Sequence, residues 1–234
     1  MITYIKLFLV VVHLIICSTL ALISAIFDRT HRTYFWVSRI LSNGGLFLAG
    51  IKLSTSGLEN FDASKPYVYV SNHSSMFDIL ALQASFPNNA VMIFKKELAR
   101  IPIFGWALQL GPYIVIDRQK ADRAMESLDR AKKTIIEKGI SVLVFAEGTR
   151  SKTGQVMPFK RGAFYLASRV GFPIVPVSIS GTAAIMPKGK LRINPGTILV
   201  HYDKPINTEN MNGRQDEKDL MEQVRQIIIA NKKD

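Results

Sequence analysis

A long hydrophobic run lies close to the N-terminus. Residues 7–27 form 21 consecutive positions without a formal charge. A helix of this length extends for about 31 Å, which is enough to cross the hydrocarbon core of a bilayer. We therefore expect a membrane segment. A cleaved signal peptide and a buried core helix are the alternatives, but the run is long for the first and apolar on every side for the second.

A second hydrophobic run, residues 34–53, follows after a short basic turn. It contains Arg39 and two adjacent glycines, so we expect an amphipathic helix at the membrane surface rather than a second crossing. Its aromatic residues Tyr34, Phe35 and Trp36 would then lie at the depth of the lipid headgroups. Three arginines follow the first run and one lysine precedes it, which predicts an inner-membrane protein whose remainder faces the cytoplasm. A span followed by a surface helix and a hairpin in one leaflet both fit this pattern.

From residue 54 the pattern changes to short apolar runs that alternate with helical patterns. We divide the chain accordingly into an N-terminal membrane-associated segment, 1–53, and a folded domain, 54–234. The predicted strands are 67–71, 90–94, 113–116, 141–145, 174–178 and 197–202, and the predicted helices lie near 75–86, 119–138, 160–170 and 215–231. Short strands separated by helices indicate an α/β fold in which helices cover a mixed sheet. The chemistry of such folds is found in loops at the ends of strands.

Composition and charge narrow the classes of protein. The single cysteine, Cys17, excludes an internal disulfide framework, and the four histidines show no metal-ligand spacing, so we expect no metal. The net charge is +12, and residues 151–204 hold eight basic residues against one acidic residue. No nucleic-acid-binding motif accompanies this charge. An anionic membrane surface is therefore the expected partner, and nucleic acid is not.

The loop after the first predicted strand contains a histidine and an aspartate five positions apart. His73 comes at the end of the strand, and Asp78 follows in the first turns of the next helix, with Ser74 or Ser75 as the expected N-cap. From there the carboxylate can accept a hydrogen bond from Nδ1–H and leave Nε2 to take a proton from a hydroxyl group. The chain has no G-x-S-x-G elbow and its only cysteine lies in the first hydrophobic run, so no protein nucleophile is predicted. A surface histidine beside a helix-terminal aspartate is the alternative.

Two further strand ends carry arginine. Arg118 ends one predicted strand, and Arg150 follows another in the sequence Glu-Gly-Thr-Arg. Each arginine alone is more readily a solvated charge, but two guanidinium groups at one sheet edge, together with the histidine loop, can clamp a phosphate. Gly148 would permit close approach of the backbone to a ligand, and Glu147 would orient an arginine or hold substrate hydroxyl groups.

These segments resemble a known family. The blocks NHSSMFD (72–78), IVIDR (114–118), FAEGTRS (145–151) and IVPVSISGT (174–182) are similar, in order and spacing, to the four blocks of the glycerolipid acyltransferases with the N-H-x4-D motif. The likeness covers roughly residues 66–182 and includes IPIFGW at 101–106. It is greatest to the bacterial 1-acyl-sn-glycerol-3-phosphate acyltransferases. It implies the mixed α/β fold of glycerophosphate acyltransferases over residues 54–234.

The resemblance also implies a reaction and a site. An acyl group would pass from acyl-CoA or acyl-carrier protein to the sn-2 hydroxyl of lysophosphatidic acid, giving phosphatidic acid without an acyl-enzyme or a cofactor. His73, held by Asp78, would remove the hydroxyl proton. The residues that map onto the glycerol-phosphate site are Arg118, Glu147, Gly148, Thr149 and Arg150. Lys95, Lys96 and the backbone amides of the histidine loop are candidates for oxyanion or phosphate contacts.

Other activities remain open at this stage. The motif blocks describe the reaction core more than the acceptor, so another lysolipid or acyl exchange between phospholipids is an alternative. Two arginines suited to a phosphomonoester favour lysophosphatidic acid. A non-catalytic protein that binds lipid at the membrane surface is the alternative from another class, but such a protein has no need of a base. The fourth block has no ionisable group and is expected to be structural or to line the acyl chain.

Overall fold

The centre of the protein is a seven-stranded mixed sheet. The computed structural model describes residues 2–116, 132, 135–209 and 213–233. The strands are β1 (Ile51–Ser56), β2 (Val68–Ser71), β3 (Ala90–Lys95), β4 (Ile114–Ile116), β5 (Ser141–Phe145), β6 (Ile174–Ser180) and β7 (Gly196–Tyr202). Their order is β1-β7-β6-β2-β5-β3-β4, and neighbouring strands are parallel except for the antiparallel pair of β6 and β7. The prediction of a mixed α/β sheet is confirmed.

Helices cover both faces of this sheet. They are α1 (Ile2–Phe27), α2 (Arg32–Ala49), α3 (Phe77–Ser85), α4 (Phe104–Leu110), α5 (Gly162–Val170), α6 (Thr182–Ile185) and α7 (Arg214–Asn231). Alternate side chains of a strand point to opposite faces, and β2 shows this, since Val68 and Val70 pack with α5 and α7 whereas Tyr69 packs with α3. Most of the helix predicted over 119–138 lies outside the described residues; 135–138 are helical.

The two N-terminal helices form an antiparallel pair against the domain. Among the described residues, α1 is the one helix long and apolar enough to cross a membrane. Gly44 of α2 permits close approach to α1, because a Cβ there would lie 2.4 Å from Nε2 of His13. Lys6 Nζ donates a hydrogen bond of 2.8 Å to the carbonyl oxygen of Ala49 at the end of α2. These two contacts hold the first half of α1 against the second half of α2.

The second hydrophobic run differs from its prediction in two ways. Tyr34 and Phe35 are buried in the protein instead of facing lipid headgroups, and Tyr34 Oη donates a 2.8 Å hydrogen bond to the carbonyl oxygen of Ala107. Trp36 is 63% exposed. The run also does not form one helix, because α2 ends at Ala49 and β1 begins two residues later. The boundary predicted after residue 53 therefore falls inside β1, which pairs with β7 along its whole length.

Candidate active site

Three parallel strands bring the conspicuous loops to one edge of the sheet. β2 lies between β5 and β6, and Ser71 at its carboxyl end is level with Phe145 and Val177. The loop after β2 and the turn after β5 therefore start side by side. Such carboxyl edges are where α/β proteins place their ligands.

His73 and Asp78 form a hydrogen-bonded pair at this edge. Nδ1 of His73 lies 2.7 Å from Oδ2 of Asp78, which is the pairing expected from their spacing. Asp78 is fully buried and His73 is 8% exposed. Phe145 stacks on the imidazole with ring centroids 3.9 Å apart, so the ring is held on its edge and on its face. A carboxylate acceptor at Nδ1 keeps the proton on that nitrogen and leaves Nε2 as the basic atom.

The same carboxylate oxygen also organises the loop backbone. Oδ2 of Asp78 accepts the N–H groups of Ser74 and Ser75 at 2.7 and 2.8 Å. Ser75 also contributes to the start of α3: the helix begins at Phe77, whose N–H donates to Ser75 Oγ at 3.3 Å, while both serines donate their own amides to the carboxylate. The amide of His73 is engaged as well. The prediction that amides of this loop stabilise an oxyanion is wrong for these three residues, because each already has an acceptor.

The fourth sequence block supports the histidine loop from beneath. The Asn72 side chain donates to the carbonyl oxygen of Ile179 and accepts its N–H, both at 2.9 Å. Ser74 Oγ lies 2.9 Å from Thr182 Oγ1. All seven residues of β6 are buried, so its structural role follows directly from packing.

Glu147 points toward the protein and not toward a ligand. It is 2% exposed, and its Oε1 accepts the backbone N–H of His73 at 2.9 Å. Burial raises the pKa of its carboxyl to about 7, although backbone hydrogen bonds from His73 and Met157 oppose this shift. The expectation that Glu147 holds substrate hydroxyl groups is corrected: its carboxyl holds the loop that carries the imidazole.

The remainder of the third block forms a turn that lies against this loop. Gly148 has φ +69°, and a Cβ there would lie 2.9 Å from Cδ of Lys160, so the position favours glycine for two reasons. The N–H of Ser151 donates to the carbonyl oxygen of His73 at 2.7 Å. Arg150 is therefore attached directly beside the histidine loop.

Sequence reasoning did not single out Lys188. Its Nζ donates hydrogen bonds to Thr149 Oγ1 at 3.1 Å and to the carbonyl oxygen of Arg150 at 2.7 Å. The one signal in the sequence was the basic excess of residues 151–204, which does not distinguish one lysine from another.

Comparison with known proteins agrees with this arrangement. A family model described as acyltransferase matches residues 52–180, more than half of the chain. The chain belongs to this acyltransferase family.

Individual relatives of this family member extend the likeness. It is 38% identical over 143 residues to a 1-acyl-sn-glycerol-3-phosphate acyltransferase of Cocos nucifera, covering 61% of this chain and 46% of that protein. It is 33% identical over 214 residues to the protein of the same name from Saccharomyces cerevisiae, covering 89% of this chain and 70% of the relative. The chain thus spans about half the length of the coconut relative and more than two thirds of the yeast one.

A solved structure shares the fold. The crystal structure of the 1-acyl-sn-glycerophosphate (LPA) acyltransferase PlsC from Thermotoga maritima matches with a TM-score of 0.83, over 98% of this chain and 92% of that chain. The two sequences are 24% identical, so the likeness shows the fold.

The other expected site residues are less closely tied to His73 in this acyltransferase-family chain. Lys95 forms an ion pair with Glu97 at 3.0 Å, and Lys96 is exposed at the start of a short 3₁₀ helix. Their contact with an oxyanion or a phosphate stays a prediction. Arg118 lies outside the described residues. Within the described ranges, no group of three or more histidine, cysteine, aspartate or glutamate side chains is placed to hold a metal ion.

Proposed function

We propose that this protein transfers a fatty acyl group from a thioester to the sn-2 hydroxyl of lysophosphatidic acid and so makes phosphatidic acid. The observation that carries the proposal is the hydrogen bond between His73 and Asp78 at the sheet edge. The pair lies within the part of the chain that matches the acyltransferase family. The names of the coconut and yeast relatives specify the acceptor as 1-acyl-sn-glycerol-3-phosphate.

The pair supports direct transfer by general-base catalysis. Nε2 of His73 takes the proton of the sn-2 hydroxyl as its oxygen attacks the thioester carbonyl carbon. Asp78 stabilises the positive charge that develops on the imidazole. As the carbon–sulfur bond breaks, the thiolate leaves and takes up the proton from Nε2, which regenerates the base. No acyl-enzyme forms.

The acceptor phosphate would lie on the turn after β5. In lysophosphatidic acid only C2, C3 and one ester oxygen separate the sn-2 oxygen from phosphorus, so the base and the anion site must be close neighbours. The hydrogen bond from Ser151 N–H to the carbonyl oxygen of His73 meets this requirement. Arg150 supplies the positive charge, and Gly148 and Thr149 give the turn its shape. Arg118 is assigned to this site from the family blocks alone.

Either a CoA thioester or an acyl-carrier-protein thioester suits the basic stretch 151–204. Both donors are anionic, and a positive surface raises their local concentration. The group that reacts, the thioester carbonyl, is the same in both donors.

The N-terminal hairpin would place the site in one leaflet at the cytoplasmic face of the inner membrane. α1 packs on the domain along its length: Leu7 and Val10 contact the core around α3, and Ala21 packs with Ala107 of α4. Because the folded domain is attached along α1, the helix cannot cross the bilayer without drawing the domain into the hydrocarbon core. The exposed apolar side chains of α1 therefore fit a helix embedded from one side.

Acyl-transfer assays on membranes that contain the full chain test the proposal. We expect wild-type protein to acylate lysophosphatidic acid and His73→Ala to lose turnover at an unchanged protein level. His201→Ala is the matched control, because that histidine lies on β7 and bonds to Ser56 at the far edge of the sheet. Full turnover of the His73→Ala variant would remove the general base from the mechanism. Wild-type protein inactive with every lysolipid and both thioesters would contradict the proposed function.

A further inference from the structure

One short segment after β6 contacts both halves of the candidate site. Thr182, the first residue of α6, contacts Ser74 of the histidine loop, and the carbonyl oxygen of Met186 accepts a 2.9 Å hydrogen bond from Ser75 Oγ. Two residues later, Lys188 reaches across to Thr149 and Arg150 of the third block. The segment from 182 to 188 therefore ties the base to the turn assigned to the phosphate.

Lys188 has the capacity to do more than fix the turn. An ammonium group has three N–H donors, and the two hydrogen bonds to the turn use two of them. The third donor is left for a ligand. The side chain is also half-buried, so its charge is less screened by water than that of an exposed lysine.

The positive charges around this turn have no carboxylate partner among the described residues. Within the part of the chain that the structure describes, neither Lys188 nor Arg150 forms an ion pair with a carboxylate. The 2.7 Å hydrogen bond from Lys188 to the Arg150 carbonyl nevertheless keeps the two cationic residues together. Two cationic residues that belong to one turn, with no carboxylate partner among the described residues, favour the binding of an anion there.

We propose that Lys188 is a further binding residue for the acceptor phosphate and that it makes the site selective for a phosphomonoester. This inference rests on the proposed function. A phosphomonoester carries up to two negative charges near neutral pH and gains from both Arg150 and Lys188. A phosphodiester linked to choline carries one negative charge and brings a cation of its own. Lys188 therefore favours lysophosphatidic acid over lysophosphatidylcholine.

Steady-state kinetics with purified full-length variants in mixed micelles test this role. Lys188→Met should raise KM for lysophosphatidic acid by about ten-fold or more, since a charge-assisted hydrogen bond is lost, and leave KM for the acyl donor nearly unchanged. The ratio of kcat/KM for lysophosphatidylcholine to that for lysophosphatidic acid should rise. Lys188→Arg should restore much of the acceptor affinity. Lys190→Met is the matched control, because it removes the same charge from an exposed position two residues along.

The possible results separate this inference from the proposed function. A wild-type enzyme active on lysophosphatidic acid, with Lys188→Met and Lys190→Met showing the same acceptor KM and the same headgroup ratio, would overturn the role of Lys188 alone. So would an equal rise in the KM of donor and acceptor. Thermal unfolding will show whether Lys188→Met is poorly folded. In that case the headgroup ratio of Lys188→Arg decides: a ratio close to that of the wild type supports the role, and a ratio that rises although the positive charge is retained contradicts it.

Discussion

Oε1 of Glu147 accepts the backbone N–H of His73 at 2.9 Å, so the third sequence block holds the first in place. This contact links the turn that carries Arg150 to the loop that carries the base. Both loops leave parallel neighbouring strands, and the buried carboxyl, the Ser151 amide and the stacking of Phe145 on the imidazole join them across the gap. Glu147 is thus a positioning residue, and its ionisation is coupled to the stability of the site.

Replacement of Glu147 by glutamine should flatten the dependence of stability on pH. Burial raises the pKa of Glu147 from the ordinary value of 4.5 to about 7, so the folded protein binds a proton more tightly than the unfolded chain. The free energy of unfolding therefore falls as the pH rises from about 4.5 through 7, by at most about 3 kcal/mol. Glutamine keeps an oxygen acceptor for the His73 amide and does not titrate. Thermal unfolding at pH 6, 7 and 8 measures the difference.

The control for this measurement is Glu59→Gln, which changes an exposed carboxyl that is distant from Glu147 in the sequence. We expect wild type and Glu59→Gln to lose thermal stability in parallel between pH 6 and 8, and Glu147→Gln to lose less. Equal pH slopes for all three proteins would show that Glu147 does not titrate in this range.

Asp78→Asn should reduce kcat by about 10³-fold or more while KM for the acceptor changes little. The asparagine oxygen can still accept the amides of Ser74 and Ser75. Because the same oxygen faces Nδ1 of His73, the imidazole keeps its hydrogen bond but loses the negative charge that stabilises the imidazolium. Initial rates at saturating substrate check this, with Asp62→Asn, a surface substitution, as the control. A variant that retains a tenth of wild-type kcat would show that catalysis depends little on the negative charge of this carboxylate.

Much of the fold could be predicted because buried parallel strands are visible in the sequence. β2, β5 and β6 are buried throughout or nearly so and form short apolar runs. β1 was not predicted because it is an edge strand whose burial alternates, with Lys52, Ser54 and Ser56 exposed between its less exposed residues. α4 has seven residues, which is too short for a helical period to stand out. The burial of Tyr34 depends on its contact with α4, so the residues around Tyr34 in the sequence did not indicate it.

The contacts of the candidate site also differ in how far the sequence could predict them. His73 and Asp78 are five residues apart on one loop and helix, so their contact could be predicted from local geometry. The inward orientation of Glu147 depends on a partner 74 residues away, and the contact of Lys188 with Arg150 on one 38 residues away. Contacts of this kind are set by strand order, which the sequence pattern did not provide.

Gly111→Ala should destabilise the docking of the N-terminal hairpin by about 1–3 kcal/mol. A Cβ at position 111 would lie 2.4 Å from Cζ of Tyr34, so the buried ring would have to move and weaken its hydrogen bond to Ala107. Gly213→Ala is the control, since a Cβ there meets no atom within 4 Å. Thermal unfolding in detergent compares the two. Equal midpoints for both variants would mean that the hairpin does not depend on the Tyr34 contact.

The membrane-facing surface should extend beyond α1 to α4. Trp106 and Leu110 of α4 are exposed, at 52% and 56%, and α4 packs against α1. Exposed apolar side chains that continue the surface of a membrane helix belong in the same lipid environment, and tryptophan favours the interface. Trp36 on α2 is exposed as well. If the hairpin enters one leaflet, both tryptophans should therefore reach lipid at the same time.

The chain has two tryptophans, so single substitutions isolate each of them. In Trp36→Phe only Trp106 emits, and we expect its fluorescence in vesicles to fall when the lipid acyl chains carry bromine, while iodide in the water has little effect. Trp106→Phe should report the same for Trp36, because both rings are exposed on helices that pack against α1. Strong quenching of Trp106 by iodide, with none by brominated lipid, would place α4 in water and confine the membrane contact to the hairpin.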